Sequence, residues 1–265
     1  MLDQVDLSVS LDKATFRKEA PRLRDRLHEL QLMARNAGVA TILVLEGWDA
    51  SGKGSLISHL VEGLDPRGFR VCPTYGPLID ELYRPWLWRF WMRLPGYGGI
   101  AVFDRSWYGR VLVERIEGIT NADDVEAAFR EINDFERTLA DDGQVIVKLL
   151  LHISKKEQRR RFKKAEKDPY QRWKIKPEDW RHHRQYDEYR EAMEEMLERT
   201  GTEFAPWTIV ESHDRRWADV KAFSALVAAL EERLNLPNKA ASTPSASPAR
   251  VNRRNRGSPD RAQRR

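Results

Sequence analysis

The chain has 265 residues, of which 46 are Lys/Arg and 41 Asp/Glu (formal net charge +5), 41% are hydrophobic and one is cysteine. That length suits one α/β domain with appendages and is short for two. A mean hydropathy of −0.66, with no apolar run near the roughly 20 residues of a membrane helix, excludes an integral helical membrane protein.

MLDQVDLSVSLDKATF at the start has no basic stretch leading into an apolar one, so a cytoplasmic location is expected. The lone Cys72 cannot form an internal disulfide and reads as a small buried hydrophobe. Residues 12–36 place Leu23, Leu27, Leu30 and Met33 at helical spacing among charges, predicting an amphipathic helix with Pro21 near its start and Gly38 at its close.

The apolar run Ala40 to Leu45 predicts a buried strand, and it breaks into GWDASGKG, residues 47–54. From Gly47 through Gly52 and Lys53 the spacing is that of a phosphate-binding loop, whose glycines let backbone N–H groups converge on phosphate oxygens while the lysine reaches the terminal phosphates. Gly47, Gly52, Lys53, Gly54 and Ser55 are the candidate phosphate-binding positions. The hydroxyl residue that normally follows the lysine and ligates Mg²⁺ is replaced by Gly54. Asp49, a carboxylate within the loop, is the candidate metal anchor in its place; the plainer reading is that it caps the turn.

A helix is expected over about 55–64 and a strand over Phe69 to Pro73. A further helix is expected from Pro85, with Leu87, Phe90, Trp91 and Leu94 on one apolar face and Trp86, Trp88 and Trp91 packing rather than stacking on bases. IAVFD, residues 100–104, is a short apolar run ending in an acid, the pattern of a parallel strand that delivers Asp104 to the ligand-binding edge of a sheet. Asp104 is the second candidate metal ligand. Just after it, Arg105 and Arg110 are candidate phosphate clamps, with planar donor forks that stay charged at any working pH. Glu114 and Glu117 read as solvated helix acids rather than ligands to a second metal.

Helices over 123–140, 177–199 and 216–234 and strands over 144–154 and 206–212 complete the pattern, and their alternation predicts a parallel sheet. His59 and His152 fall on core-like elements and His28, His182, His183 and His213 on surface faces; none is needed as a catalyst. Charge is uneven along the chain. From Asn238 onward eight basic residues oppose Asp260, a local +7, so the first 237 residues carry −2. Lys155 to Arg184 holds 13 Lys/Arg and 5 Asp/Glu, the composition of a segment that grips a polyanion, or of a solvated basic face. Residues 238–265 lack any periodicity and are expected to be a disordered basic tail.

Taken together, GWDASGKG, LYRPWLWRFWMRLPGYGGIAVFDRSWYGRVLVER, HISKKEQRRRF, DPYQRWK and ERTGTEFAPWTIVES resemble the second polyphosphate kinase family over roughly residues 12–234. The resemblance implies a three-layer α/β/α P-loop kinase core, similar to thymidylate kinase, within a domain spanning 1–237 and carrying a helical lid at about 155–184. It implies Mg²⁺-dependent phosphoryl transfer between inorganic polyphosphate and a purine nucleoside mono- or diphosphate. It matches Asp49, Lys53, Asp104, Arg105 and Arg110 to the family's catalytic positions, and makes Lys163, Lys164, Lys167, Arg172 and Lys174 the lid's candidate phosphate contacts. A homodimer or homotetramer is implied, with no specific nucleic-acid partner and no membrane. Two positions depart from the family: Ala165 stands where an arginine is frequent, and Tyr186 where a tryptophan is. An ATP-dependent nucleotide kinase and a catalytically weak P-loop regulator are the alternatives.

Overall fold

The computed structural model describes residues 1–237 and the pair Ser247–Pro248. Five strands make the central sheet: β1 Thr41–Gly47, β2 Phe69–Pro73, β3 Ile100–Asp104, β4 Val145–His152 and β5 Trp207–Glu211. All neighbours are parallel, in the order β2-β3-β1-β4-β5. From β3 on one side of β1 the chain crosses to β4 on the other. The loop after β1 therefore leaves the sheet where the strand order reverses, the position at which doubly wound sheets open a crevice.

Seven helices of eight residues or more flank the sheet among the described residues: α1 Lys13–Asn36, α2 Lys53–Val61, α3 Ala122–Asp141, α4 Lys155–Lys167, α5 Pro177–Arg184, α6 Tyr186–Thr200 and α7 Arg215–Arg233. Several begin where the sequence supplies a side-chain cap. Asp12 accepts from the amides of Ala14 and Thr15, Ser154 from Glu157, and Asp214 from Arg216 and Trp217. Strand residues alternate between two apolar layers. Leu43, Leu45, Val147 and Leu149 pack with Leu27 and Leu30 of α1, Leu56 and Leu60 of α2 and Leu226 of α7. Ile42, Val44, Phe103 and Leu150 face Phe129 and Ile132 of α3 and Met193 and Met196 of α6. Because both faces are covered, β1 and β4 are buried at every position and mostly apolar, and the expected three-layer α/β/α arrangement results.

Some boundaries differ from expectation. Pro21 lies well inside α1 rather than near its start. The helix expected from Pro85 is reduced to Trp88–Trp91, with a separate turn of helix at Ile79–Leu82. Side-chain bonds hold this stretch in an irregular path: Trp86 Nε1 to Glu131 and Arg89 Nη2 to the Tyr75 carbonyl (2.6 Å). The single helix expected over 177–199 is two, α5 and α6, divided at Gln185 (φ −87°, ψ 19°). Just beyond the break, Tyr186 donates its hydroxyl to the Ile153 carbonyl (2.8 Å) and stacks on Trp48 at 3.8 Å. Cys72 is buried, and burial raises its thiol pKa, as suits a packing residue. No helix among the described residues is long and apolar enough to cross a membrane. The tail expected over 238–265 lies outside the described residues except for Ser247–Pro248, which pairs antiparallel with Val9–Ser10.

Candidate active site

The loop after β1 depends on its first glycine. Gly47 has φ 133°, and a Cβ there would lie 2.3 Å from the Leu151 carbonyl oxygen of β4, so no other residue fits. The chain then turns through Ala50, also at positive φ (58°), and Gly52 (φ 113°) into the first turn of α2. Lys53 and Ser55 stand in that turn, whose free N–H groups and dipole favour an anion. The Lys53 side chain is buried and bends back, its Nζ donating to the carbonyls of Gly47 (2.7 Å) and Trp48 (3.0 Å). Burial, helped by Arg105, depresses its pKa against the pull of Asp49, Asp104 and Glu46. Gly54 is exposed, and a Cβ there would meet nothing within 4 Å.

Asp104 ends β3 beside Leu45 of β1. Its charge bears on Lys53 and Arg105, and its carboxylate accepts no hydrogen bond among the described residues. Arg105, the next residue, takes positive φ (61°) with its amide bonded to the Leu45 carbonyl (3.1 Å). Ser106 is anchored by the buried carboxylate of Glu46, which accepts from both its amide and its hydroxyl at 2.8 Å. Glu46 has a raised pKa because of its burial, against the pull of Arg105 and the Ser106 hydrogen bond. A 3₁₀ turn, Trp107–Arg110, follows. Its two aromatics donate to Glu136 Oε1, Trp107 Nε1 at 3.0 Å and Tyr108 OH at 2.7 Å, and Lys148 closes the buried network through Glu136 Oε2 at 2.7 Å. The turn that separates Arg105 from Arg110 is thus tied to the core.

Asp49 is enclosed by partners that its place in the sequence does not predict. One carboxylate oxygen pairs with Arg105, and the other lies 2.9 Å from His182 Nδ1, while His182 Nε2 lies 3.2 Å from Glu117. Burial opposes ionisation of Asp49, but the His182 hydrogen bond and the charges of Arg105 and Lys53 hold it well below the usual carboxylate range. The same hydrogen bond raises the pKa of His182. His182 is therefore not on a surface face as expected; its side chain is 15% exposed and bridges two carboxylates. Glu117, expected to be solvated, is likewise enclosed and also pairs with Arg181 at 2.7 Å. His59, expected in the core, is half-exposed and bonds Asp219 at 2.7 Å.

Beside the loop opens a cavity of about 770 Å³, lined by Gly47, Trp48 and Asp49 from the loop and by Arg105 and Arg110 from the segment after β3. Arg84, Trp86, Arg89 and Phe90 also line it, as do Gln158 of α4, Glu178, Arg181 and His182 of α5, and Tyr189 and Met193 of α6. Arg110 reaches Glu114 at 3.3 Å and lies over the Trp86 ring at 5.5 Å. The basic residues expected to meet phosphate from α4 and its following loop do not reach the cavity: Lys163, Lys164, Lys167, Arg172 and Lys174 are exposed and none lines it. On α4 the inward stripe is Gln158, Arg161 and Phe162, which turns those lysines to solvent. No group of three or more His, Cys, Asp or Glu among the described residues is arranged to hold a metal.

A parallel three-layer sheet, a glycine-bounded anion loop at its switch point and an arginine-walled chamber beside that loop define a P-loop protein of the kinase type. The family model described as "Polyphosphate kinase 2 (PPK2)" matches residues 10–237, and the chain belongs to that family. It is 44% identical over 232 residues to the polyphosphate:AMP phosphotransferase of Pseudomonas syringae pv. tomato, covering 88% of this chain and 47% of the relative. It is 33% identical over 215 residues to ADP-polyphosphate phosphotransferase 3 of Rhizobium meliloti, covering 81% and 76%. The crystal structure of polyphosphate kinase 2 from Arthrobacter aurescens superimposes with a TM-score of 0.84 at 32% identity, over 90% of this chain and 88% of that one. The chain spans about half the length of the polyphosphate:AMP phosphotransferases of Pseudomonas and Acinetobacter that it matches.

Proposed function

We propose that the chain transfers phosphoryl groups between inorganic polyphosphate and a nucleoside mono- or diphosphate, AMP or ADP and, as a variant of the same chemistry, GMP or GDP. The observation that carries this reading is a chamber large enough for one nucleotide, lined by Gly47 and Asp49 of the glycine loop together with Arg105 and Arg110, with the Lys53 ammonium bonded to the Gly47 and Trp48 carbonyls of the same loop. The matched relatives are named for transfers of this kind.

In this reading the terminal phosphates of the donor lie on the loop, against the amides around Gly52 to Ser55 and the Lys53 ammonium. The nucleotide occupies the cavity, its base among Trp86, Phe90 and Tyr189 and its phosphate turned to Arg105 and Arg110. The P–O bond between the last two phosphates of the donor breaks as an oxygen of the nucleotide phosphate bonds to the departing phosphorus, and the shortened chain keeps the bridging oxygen. The attacking oxygen is already anionic, so no general base is required. The demand is to screen repulsion and hold the two oxygens in line, which fixed guanidinium forks and loop amides do.

Mg²⁺ fits the residues present. This ion takes one or two carboxylates and completes its shell with phosphate oxygens and water, so a cluster of three protein ligands is not required. Asp104, with no hydrogen bond on its carboxylate among the described residues, would hold it, joined by Asp49 on exchange of Arg105 or His182. When bound, the ion would neutralise phosphate charge. Segment 155–184 would act as the lid, with Lys163, Lys164, Lys167, Arg172 and Lys174 as the outer track of a long polyphosphate.

The test is purified protein with Mg²⁺, long-chain polyphosphate and AMP or ADP, without ATP. Formation of the next higher nucleotide is expected; product that forms only when ATP is supplied would replace this reading with an ATP-dependent nucleotide kinase.

A further inference from the structure

The rear of the phosphate loop is held by a residue with no role in the transfer as described. Arg161, on α4, is 8% exposed. Its Nη1 donates to the carbonyls of Ala50 (2.9 Å) and Ser51 (2.8 Å), and its Nη2 to those of Ser212 and His213 (3.3 Å for the latter). Its Nε is held by Glu157 Oε1 at 2.7 Å. Gln158 Nε2 donates to the Asp49 carbonyl (3.2 Å), and the Ser212 hydroxyl to the Ser51 carbonyl (2.6 Å). Three consecutive loop carbonyls, at 49, 50 and 51, thus accept side-chain hydrogen bonds from outside the loop.

In a trans peptide the C=O and the next N–H point in opposite directions. Fixing the carbonyls of Asp49 and Ser51 towards α4 and β5 therefore turns the amides of Ala50 and Gly52 away from α4, to the side where an anion would sit. The arrangement also stabilises a costly conformation, since Ala50 holds φ 58° without being glycine. A guanidinium is suited to this position because it is planar, permanently charged and has five donors, enough for two strands of carbonyls at once. Arg161 does not line the 770 Å³ cavity.

We infer that Arg161 is a positioning residue for the phosphate donor: through the carbonyls of Ala50 and Ser51 it shapes the loop that receives polyphosphate, and leaves the nucleotide chamber untouched. This rests on the proposed assignment of donor to loop and nucleotide to cavity. The test uses the full chain carrying Arg161→Gln or Arg161→Lys, with steady-state rates against varied polyphosphate at saturating nucleotide and the converse, and nucleotide affinity by calorimetry.

The expected result for Arg161→Gln is a polyphosphate KM raised at least tenfold with nucleotide affinity within twofold of the parent. Arg161→Lys should restore part of the loss, because an ammonium can serve the loop carbonyls but not those of Ser212 and His213 as well. A polyphosphate KM within twofold of the parent, or equal weakening towards both substrates, overturns the inference; if Arg161→Gln does not fold, the same split is read on Arg161→Lys. Failure of the unmodified protein to use polyphosphate at all sinks the functional reading and this inference together. Normal use of polyphosphate with no donor-specific change in the variants sinks this inference alone.

Discussion

Replacing Lys148 by Met would expose how much of the site rests on a charge buried behind it. The Lys148 and Glu136 side chains are both 0% exposed, and the ammonium donates to Glu136 Oε2 (2.7 Å), the Tyr108 hydroxyl (2.9 Å) and the Thr200 carbonyl (2.7 Å). Removing it leaves a carboxylate in the core with only Trp107 and Tyr108 as donors. Breaking a buried pair from one side costs roughly 3–5 kcal/mol, and at ~2–4 °C per kcal/mol for a chain of this size the melting temperature should fall by about 6–20 °C. Burial already raises the pKa of Glu136 against the pull of Lys148, and loss of the lysine would raise it further. The folded variant then binds more protons than its unfolded chain between the ordinary carboxyl range and the raised value, so its stability should recover as pH falls through that window. Lys148→Met combined with Glu136→Gln should regain most of the loss at neutral pH, because no charge is left unpaired. The assay is thermal unfolding by circular dichroism between about pH 5.5 and about pH 8, a range that starts above the ordinary carboxyl pKa. A single variant that melts within about 2 °C of the parent and shows no pH dependence of its own would refute the reasoning.

Lys53→Ala should abolish transfer with the melting temperature little changed, checked by product formation beside a thermal melt; unchanged turnover would remove the loop from the mechanism. Gly47→Ala forces a Cβ to 2.3 Å from the Leu151 oxygen at φ 133°. Steric and backbone strain together should cost roughly 2–6 kcal/mol, read by chemical denaturation. His152 accepts a hydrogen bond from Trp48 Nε1 (2.9 Å), and burial lowers its pKa to about 4. Its contribution to stability is full above the unfolded value of 6.5 and is lost as pH falls towards 4. His152→Gln should flatten that part of the stability–pH curve, and an unaltered curve would assign the acid sensitivity to another group.

The elements legible in the sequence are those with local causes. IAVFD and FRVCP are strands at the expected residues, and the chain between Gly47 and Gly52 is a loop bounded by two glycines at positive φ. The helix expected at Pro85 shrank because its residues are held by partners far along the chain, Glu131 among them. The break at Gln185 was equally hidden, since no proline or glycine marks it and the contacts of Tyr186 lie in other elements.

The sequence by itself determined the parallel α/β order, the glycine-bounded loop after β1 and the Asp104–Arg105 pair at the end of β3, because periodicity, glycine placement and strand-end residues act over a few positions. Only the tertiary structure decided which charges meet. His182 joins Asp49 across 133 residues, Arg161 reaches the loop from 111 residues away, and five basic residues near them in sequence turn outwards instead. Local propensity makes α4 and α5 helices, but the direction each helix face points is set by how it docks. Docking depends on the summed burial of the whole core rather than on any local signal.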